Sequence, residues 1–448
     1  MQVDVVIFGG GAAGLWLLDE LFCRGSQVLL LEAAELGKGQ TIAAQGIIHG
    51  GLKYTLQGLL TPSATRLCDM PGVWRDCLAG RRTPDLSATR IRANCCYLWR
   101  STRVGSQLGM IGAKFGLHVV PRSLTRAERP AVLSACPGTV AQLDEQVIAP
   151  NSLIACLAER HRDRILKIDS RQGLDFKLSD PGHVDSIRLI VPDLLKASPL
   201  PTKPVMSQSA GQLNVQPKQV IFTAGSGNAD LRQRVGLKQV AMQRRPLHMV
   251  MLRECRHRDS VRDKLPHLNG HCIDGTKTRV TITSDTDSVG HTVWQVGGQL
   301  AEDGVAMDEL SLIAHARSEL QAVLPSLDLS QLEWATYRVD RAERTTERGE
   351  RPETVQTIHE GNCTTAWPTK LALVPQLARE LITQLLASNV TKDSLSTLGN
   401  SEFETMTDAA VLAEWSRPEV AKPPWETGRN WHRLDDDHST RYGTMRVA

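Results

Sequence analysis

A glycine-rich turn near the N-terminus has the spacing of a phosphate-binding loop. Residues 9–14 read GGGAAG and fit G-x-G-x-x-G, between the apolar run 5–8, typical of a buried strand, and an apolar helix. Gly9 permits the turn, Gly11 lets a pyrophosphate approach the backbone, and Gly14 lets helix and strand pack closely. The helix N-terminus would attract that pyrophosphate. We therefore expect a dinucleotide to bind here.

A second apolar strand, residues 28–31, ends at Glu32. An acid about twenty residues after the first glycine can accept hydrogen bonds from a ribose hydroxyl. The carboxylate disfavours a 2′-phosphate, so NADP is not expected. An ordinary glycine-rich turn is the alternative interpretation, and the strand–turn–helix–strand–acid order argues against it.

Composition narrows the class of protein. A chain of 448 residues predicts two or three domains, and a formal charge of +3 argues against a nucleic-acid-binding protein. The ten cysteines form no C-x-x-C pair or Cys/His cluster, so no metal is expected. With no signal peptide, we expect reduced thiols and a cytoplasmic location. No apolar run reaches the ~18 residues of a membrane span, and peripheral membrane contact stays open.

Two further segments could lie against a ligand. Residues 33–54 are small, glycine-rich and contain His49, as expected of a backbone that passes close to a flat cofactor or of a tolerant surface loop. Residues 218–222 form an apolar strand that runs into Thr223, Ala224 and Gly225. This places the three residues at the carboxyl edge of a parallel sheet, where α/β proteins bind ligands.

The second half of the chain changes character. Alternating strands at 249–252, 280–283 and 292–296 predict an antiparallel sheet. A strand is expected at 334–340, and the polar stretch 176–216 is predicted to be irregular. These patterns predict an α/β fold with a second, mainly antiparallel β domain.

Four of these segments together resemble the glycine-oxidase and D-amino-acid-oxidase superfamily of flavoproteins. They are residues 9–14 with Glu32, 46–54 (GIIHGGLKY), 223–225 and 367–371 (WPTKL). The second is similar to a segment of FAD-dependent glycerol-3-phosphate dehydrogenases and of L-2-hydroxyglutarate dehydrogenases. The resemblance implies FAD as cofactor and a glutathione-reductase-type, Rossmann-like FAD-binding domain.

That resemblance also implies a discontinuous domain layout. The FAD-binding domain is expected from 1–80, 130–230 and 345–390, the substrate domain from 81–129 and 231–344, and a C-terminal tail, 391–448, packing on the body. The residues expected to contact FAD are Gly9, Gly11, Ala12, Ala13, Gly14, Glu32, Ala33, Gln40, Thr41, Gln45, Gly46, His49, Gly50, Gly51, Ile165, Thr223, Ala224, Gly225, Thr369, Lys370 and Leu371.

Three side chains are candidates for chemistry beside the flavin. His49 is interpreted as a base or a flavin-edge donor, or as a residue that only fixes its loop. Lys370 would place a positive charge at the flavin pyrimidine edge, or would be a solvated lysine at a helix start. Arg338, with Arg341 as second candidate, would bind the anionic group of the substrate, whereas a surface salt bridge with Asp340 or Glu343 is the alternative.

The expected reaction is hydride removal from a small anionic hydroxy acid, polyol phosphate or amino acid, with O₂, a quinone or a carrier protein as electron acceptor. Tyr54, His248 and His271 are further candidates for the substrate face. Open alternatives are an amine or amino-acid oxidase that uses O₂, a flavin-binding or RNA-modifying protein without this oxidation, and an NAD-linked dehydrogenase.

Overall fold

The computed structural model of the chain describes residues 1–50, 69–100, 121–191, 211–255, 265–274, 277–387 and 411–434. Its strands are β1 (Gln2–Phe8), β2 (Val28–Glu32), β3 (Ile91–Ala93), β4 (Cys96–Arg100), β5 (Arg122–Ser123), β6 (Val140–Leu143), β7 (Val147–Ile148), β8 (Ile165–Lys167), β9 (Leu174–Asp180), β10 (His183–Ile190), β11 (Gln212–Phe222), β12 (Met242–Glu254), β13 (Gly270–Asp274), β14 (Lys277–Thr286), β15 (Thr292–Gly297), β16 (Leu332–Arg344), β17 (Gln356–Glu360), β18 (Cys363–Trp367) and β19 (His432–Arg433). Its α-helices are α1 (Ala12–Phe22), α2 (Met70–Leu78), α3 (Pro150–Arg160), α4 (Asn228–Arg234), α5 (Gln299–Asp303), α6 (Glu309–Val323) and α7 (Val374–Ala387).

The first sheet is built around β1. Its strands follow the order β17-β18-β11-β1-β2-β8, and the β9–β10 hairpin extends from β11. The strands β18, β11, β1, β2 and β8 are parallel. Helices α1, α3 and α7 cover one face, and strands β9 and β10 with helix α4 contribute apolar side chains to the core on the other face. Because both faces are covered, β1 and β2 read as continuous apolar runs. Because β1 and β2 are parallel neighbours, the glycine turn after β1 and Glu32 at the end of β2 lie at the same edge of this sheet.

The second sheet has nine strands in the order β19-β16-β12-β15-β14-β13-β4-β6-β5. Its pairs are antiparallel except β13 with β4. Helix α6 covers one face, over a core that includes Trp99, Trp294 and Trp334. The sequence prediction of an α/β unit with a second, mainly antiparallel sheet is confirmed. Strand β6, Val140–Leu143, also belongs to this second sheet.

The prediction of irregular structure at 176–216 is wrong for its described part. Strands β9 and β10 form an antiparallel hairpin, and β10 pairs with the start of β11. Val184, Ile187 and Leu189 are buried and alternate with exposed polar residues. The polar side chains on the solvent face made the segment read as polar, so its alternating apolar residues were not interpreted as strands.

The described tail, residues 411–434, touches both sheets. Trp415 is buried, and its Nε1–H donates to the carbonyl oxygen of Lys167 at 2.7 Å. Further on, β19 pairs with β16 in the second sheet. Among the described helices, none combines the length and apolar composition required to cross a membrane.

A substitution at Gly14 tests how closely α1 packs on β1. A Cβ at Gly14 would lie 2.1 Å from the Gly9 carbonyl oxygen and 2.7 Å from Thr223 Oγ1. We expect Gly14→Ala to lower the free energy of unfolding by about 1–3 kcal/mol in urea titrations, because this contact is overpacked. Gly72→Ala is the control: it lies exposed in α2 with no atom within 4 Å of a new Cβ, and should raise stability by no more than about 1 kcal/mol. A Gly14→Ala protein as stable as wild type would contradict the packing.

Candidate active site

The turn between β1 and α1 forms one wall of a cavity. Gly9 has φ +105°, and a Cβ there would lie 2.5 Å from the Cα of Ala224, so only glycine fits. Gly11 is the N-cap residue of α1 and, having no side chain, forms no side-chain capping hydrogen bond. Gly11, Ala12 and Ala13 line the cavity. The helix N-terminus therefore presents small residues to a ligand, as an anion site requires.

Glu32 braces this turn from the end of β2. Its carboxylate accepts hydrogen bonds from the Gly10 N–H at 2.6 Å and from the Ala34 N–H at 2.8 Å. Ala33, predicted to contact the cofactor, is exposed and does not line the cavity. Glu32 thus fixes the shape of the glycine turn through the backbone.

The residues that follow β11 lie at the same edge of the first sheet as the glycine turn. The Thr223 hydroxyl donates to the Phe8 carbonyl oxygen at 3.0 Å, and the Ala224 N–H donates to Asn228 Oδ1 at 2.8 Å. Thr223 and Gly225 line the cavity, whereas Ala224 packs against Gly9. The strand-to-turn pattern predicted this position correctly.

The segment from Gln40 to Gly50 leaves the first sheet and attaches to the second. Gln45 Nε2 donates to the carbonyl oxygens of Thr281 and Gln295, both at 3.0 Å, and the Gln45 carbonyl accepts from Arg92 Nη2. Gly46 has φ +75°, and a Cβ there would meet the Ile148 carbonyl oxygen at 2.1 Å. This backbone is held close to the second sheet.

A cavity of about 450 Å³ lies between these elements. Its lining includes the glycine turn and the segment 40–49, with Gln40, Thr41, Gln45, Gly46 and His49. Strands of the second sheet also line it, with Leu247, Met249, Thr281, Val339 and Arg341. Residues 366–371 belong to the lining too. The cavity therefore joins the nucleotide edge of one sheet to a face of the other.

The segment after β18 contributes a buried cation. Thr369 has φ +60°, an unusual backbone conformation for threonine, and both Thr369 and Leu371 line the cavity. Lys370 lines it too and is only 7% exposed. The alternative interpretation of Lys370 as a solvated lysine is therefore wrong.

The structure places the two candidate arginines, of which the sequence analysis preferred Arg338, in different surroundings. Arg338 pairs with His248 across β12–β16, and its guanidinium donates to the carbonyl oxygens of Val305 and Met307, both at 2.9 Å. It does not line the cavity, whereas Arg341 does.

Arg341 carries a defined electrostatic environment. Its Nη2 donates to Glu302 Oε1 at 3.1 Å, and 16% of its side chain is exposed. Burial, together with the charges of Arg245 and Arg351, lowers the pKa of the Arg341 guanidinium, and Glu302 opposes that shift. Because like charges raise the energy of the empty site, an anion bound at Arg341 would be stabilised.

The four candidates on the substrate side have different positions. His49 lines the cavity. His248 faces away from it: Nδ1 lies 3.1 Å from the Gly304 carbonyl oxygen and Nε2 lies 3.0 Å from Thr336 Oγ1, so the prediction for this residue is wrong. His271 is buried behind His49, with ring centroids 5.3 Å apart. Tyr54, like the expected cofactor contact Gly51, lies outside the described residues.

Ile165, which is predicted to contact the cofactor, does not line the cavity. It lies in β8, and its carbonyl oxygen accepts from Arg417 Nη1 of the tail at 3.2 Å. The remaining expected contact, Gly50, donates its N–H to Glu145 Oε1 at 2.7 Å and does not line the cavity.

Several cavity residues were missed by the sequence analysis. Lys277 and Arg351 line the cavity, and Glu145 lies directly behind His49. Lys277 and Arg351 lie in polar stretches with no motif around them. Glu145 follows Asp144 before a short apolar run, which gives no sign that its side chain is buried.

A parallel sheet with this glycine turn, closed by a second antiparallel sheet over the cavity, defines a flavoprotein oxidoreductase. The chain belongs to the FAD dependent oxidoreductase (DAO) family, whose match covers residues 4–361. FAD is its cofactor, and the glycine turn, the small residues at the start of α1 and the cations of the cavity fit that group.

Individual relatives agree with this assignment. The chain is 34% identical over 433 residues to the probable FAD-dependent oxidoreductase PA4991 of Pseudomonas aeruginosa, covering 95% of this chain and 98% of that one. The crystal structure of PA4991 superposes with a TM-score of 0.73 over the same shares of both chains. Two further structures share the fold. Glycine oxidase from Geobacillus kaustophilus has a TM-score of 0.54 and 18% identity, with 87% of this chain and 95% of that chain covered. L-alpha-glycerophosphate oxidase from Mycoplasma pneumoniae with FAD bound has a TM-score of 0.55 and 13% identity, with 86% of this chain and 95% of that chain covered.

Glu32 provides a test of the glycine turn. We expect Glu32→Gln to weaken FAD binding roughly ten- to hundredfold, because one of two charge-assisted hydrogen bonds to backbone N–H groups is lost. FAD dissociation constants from fluorescence titration would measure the effect. The control is Glu35→Gln, since Glu35 pairs at the surface with Lys38 and should leave FAD affinity unchanged. Equal affinities for the Glu32→Gln and wild-type proteins would contradict this role.

Proposed function

We propose that this protein removes a hydride from a small anionic hydroxy acid, polyol phosphate or amino acid. The observation that carries this proposal is that His49 and Arg341 line the same cavity. In such an arrangement, one side chain can accept a proton while another holds an anionic group.

The substrate would be held by charge. Arg341 offers a planar guanidinium that can bind a carboxylate or phosphate through two hydrogen bonds. Arg351 and Lys277 add positive charge to the cavity lining. Leu247, Met249 and Val339 supply an apolar wall, which excludes water from the reacting carbon.

The proton and the hydride that leave the substrate would go to different acceptors. His49 lines the cavity and would accept the proton of the substrate hydroxyl, or hold a neutral amine, through one of its ring nitrogens. FAD supplies the acceptor for the hydride of the adjacent C–H bond, and that hydride carries both electrons. Lys370 would hold positive charge at the pyrimidine edge of the flavin, where added electrons make the ring more negative.

The electron acceptor and location are part of the same proposal. We infer O₂, a quinone or a carrier protein as acceptor, and the cytoplasm as location. All cysteines of the described residues are free thiols, which supports a reducing compartment.

An anaerobic substrate panel tests the proposal. The FAD-loaded protein would be mixed with 2-hydroxy acids, polyol phosphates and amino acids, and flavin absorbance would be followed near ~450 nm. We expect bleaching by an anionic compound and none by its neutral analogue, for example lactate against propane-1,2-diol. Re-oxidation by O₂ with release of H₂O₂ would indicate an oxidase. Failure of every compound to bleach the flavin, or equal bleaching by the neutral analogues, would contradict the proposal.

His49→Ala should slow flavin reduction by about 10²–10⁴-fold, because general-base catalysis contributes that much. The FAD content of the purified variant should remain near that of wild type. Stopped-flow absorbance and the flavin released on denaturation measure the two quantities. Parallel loss of both would show that His49 only holds the cofactor.

Arg341→Ala should weaken binding of the anionic substrate roughly ten- to hundredfold, the equivalent of losing a charge-assisted hydrogen bond. Arg338→Ala is a matched control on the same strand, because that side chain binds carbonyl groups on the opposite face. The dependence of flavin reduction on substrate concentration measures both. A larger effect for Arg338→Ala than for Arg341→Ala would contradict the assignment.

A further inference from the structure

Three potential metal ligands converge behind the cavity wall. His49, Glu145 and His271 each offer one donor atom, and these atoms all lie within 4.8 Å of one another. His49 Nδ1 is 3.6 Å from Glu145 Oε2. Glu145 is 3% exposed and His271 is 2% exposed, so this is a buried cluster and not a set of surface acids.

The chemistry of the set matches a divalent transition metal. Two imidazoles and one carboxylate are the protein ligands of one class of catalytic zinc site. Three donors separated by at most 4.8 Å lie about 2.8 Å or less from their common centre, so shifts below about 1 Å reach zinc bond lengths of about 2.0–2.2 Å. The ligand geometry therefore requires only small side-chain movements.

Outer hydrogen bonds hold two of the ligands in place. Glu145 Oε1 accepts from the Gly50 N–H at 2.7 Å, which orients the carboxylate. His271 Nδ1 lies 2.9 Å from Thr281 Oγ1, which fixes the plane of that imidazole. Metal ligands in proteins are commonly oriented by such second partners.

We propose that His49, Glu145 and His271 bind one divalent metal ion of the zinc type at the rear of the cavity. A ring nitrogen of His49 that binds the metal would no longer be available to accept a proton. Metal binding would then oppose proton transfer at His49. This consequence rests on the proposed function, whereas the binding itself does not.

Equilibrium dialysis of the metal-depleted, FAD-loaded protein against Zn²⁺ tests the site without any substrate. We expect one Zn²⁺ per chain in wild type, and at least tenfold weaker binding in Glu145→Gln and in His271→Ala. His291→Ala is the control: His291 Nδ1 also lies 3.6 Å from a carboxylate oxygen, that of Asp287, but the described residues provide no third ligand there. This variant should still bind one Zn²⁺.

Two outcomes would overturn the proposal: no stoichiometric Zn²⁺ in wild type, or unchanged binding in both Glu145→Gln and His271→Ala. If His271→Ala does not fold, thermal denaturation of Glu145→Gln decides, because Zn²⁺ should raise the Tm of wild type but not of this near-isosteric variant. Flavin absorbance near ~450 nm confirms that FAD is retained. A flavin that no substrate reduces would contradict the proposed function and leave this result unaffected.

Discussion

The attachment of residues 40–50 to the second sheet is the contact on which the rest of the site depends. Two carbonyl oxygens of neighbouring strands accept both hydrogens of the Gln45 side-chain amide, and the Tyr337 hydroxyl donates to the Ala43 carbonyl oxygen at 3.1 Å. Because this segment follows directly from β2, it sets how far the nucleotide edge lies from the antiparallel sheet. His49 belongs to this segment and lines the same cavity as Arg341.

Electrostatics then decide what the cavity can hold. Among the described lining residues, four cations face a single carboxylate: Lys277, Arg341, Arg351 and Lys370, with Glu302. Burial lowers the pKa of the Arg341 guanidinium, and repulsion from the charges of Arg245 and Arg351 lowers it further. An FAD phosphate group or an anionic substrate relieves that repulsion, so the binding of anions is favoured by the structure of the protein itself.

The nucleotide half of the site could be predicted from the sequence because it depends on local chemistry. A positive φ at Gly9 and a close approach at Gly14 require glycine, and the strands around them are continuous apolar runs. The substrate half depends on which face of β16 meets the cavity. Arg338 and Arg341 lie on opposite faces of β16. Which of these faces meets the cavity depends on how β12 and β16 pack against the first sheet. Glu145 could not be assigned at all, since its burial arises from contacts with residues distant in the chain.

The most direct test of the central claim, that the flavin and the Arg341 anion site share one cavity, needs no turnover. The oxidised protein would be titrated with a carboxylate that cannot be oxidised, such as acetate or malonate, while the flavin absorption spectrum is recorded. We predict a saturable perturbation of the flavin bands in wild type that disappears in Arg341→Ala. A spectrum that no carboxylate changes, or a perturbation that persists without the Arg341 guanidinium, would contradict the shared cavity.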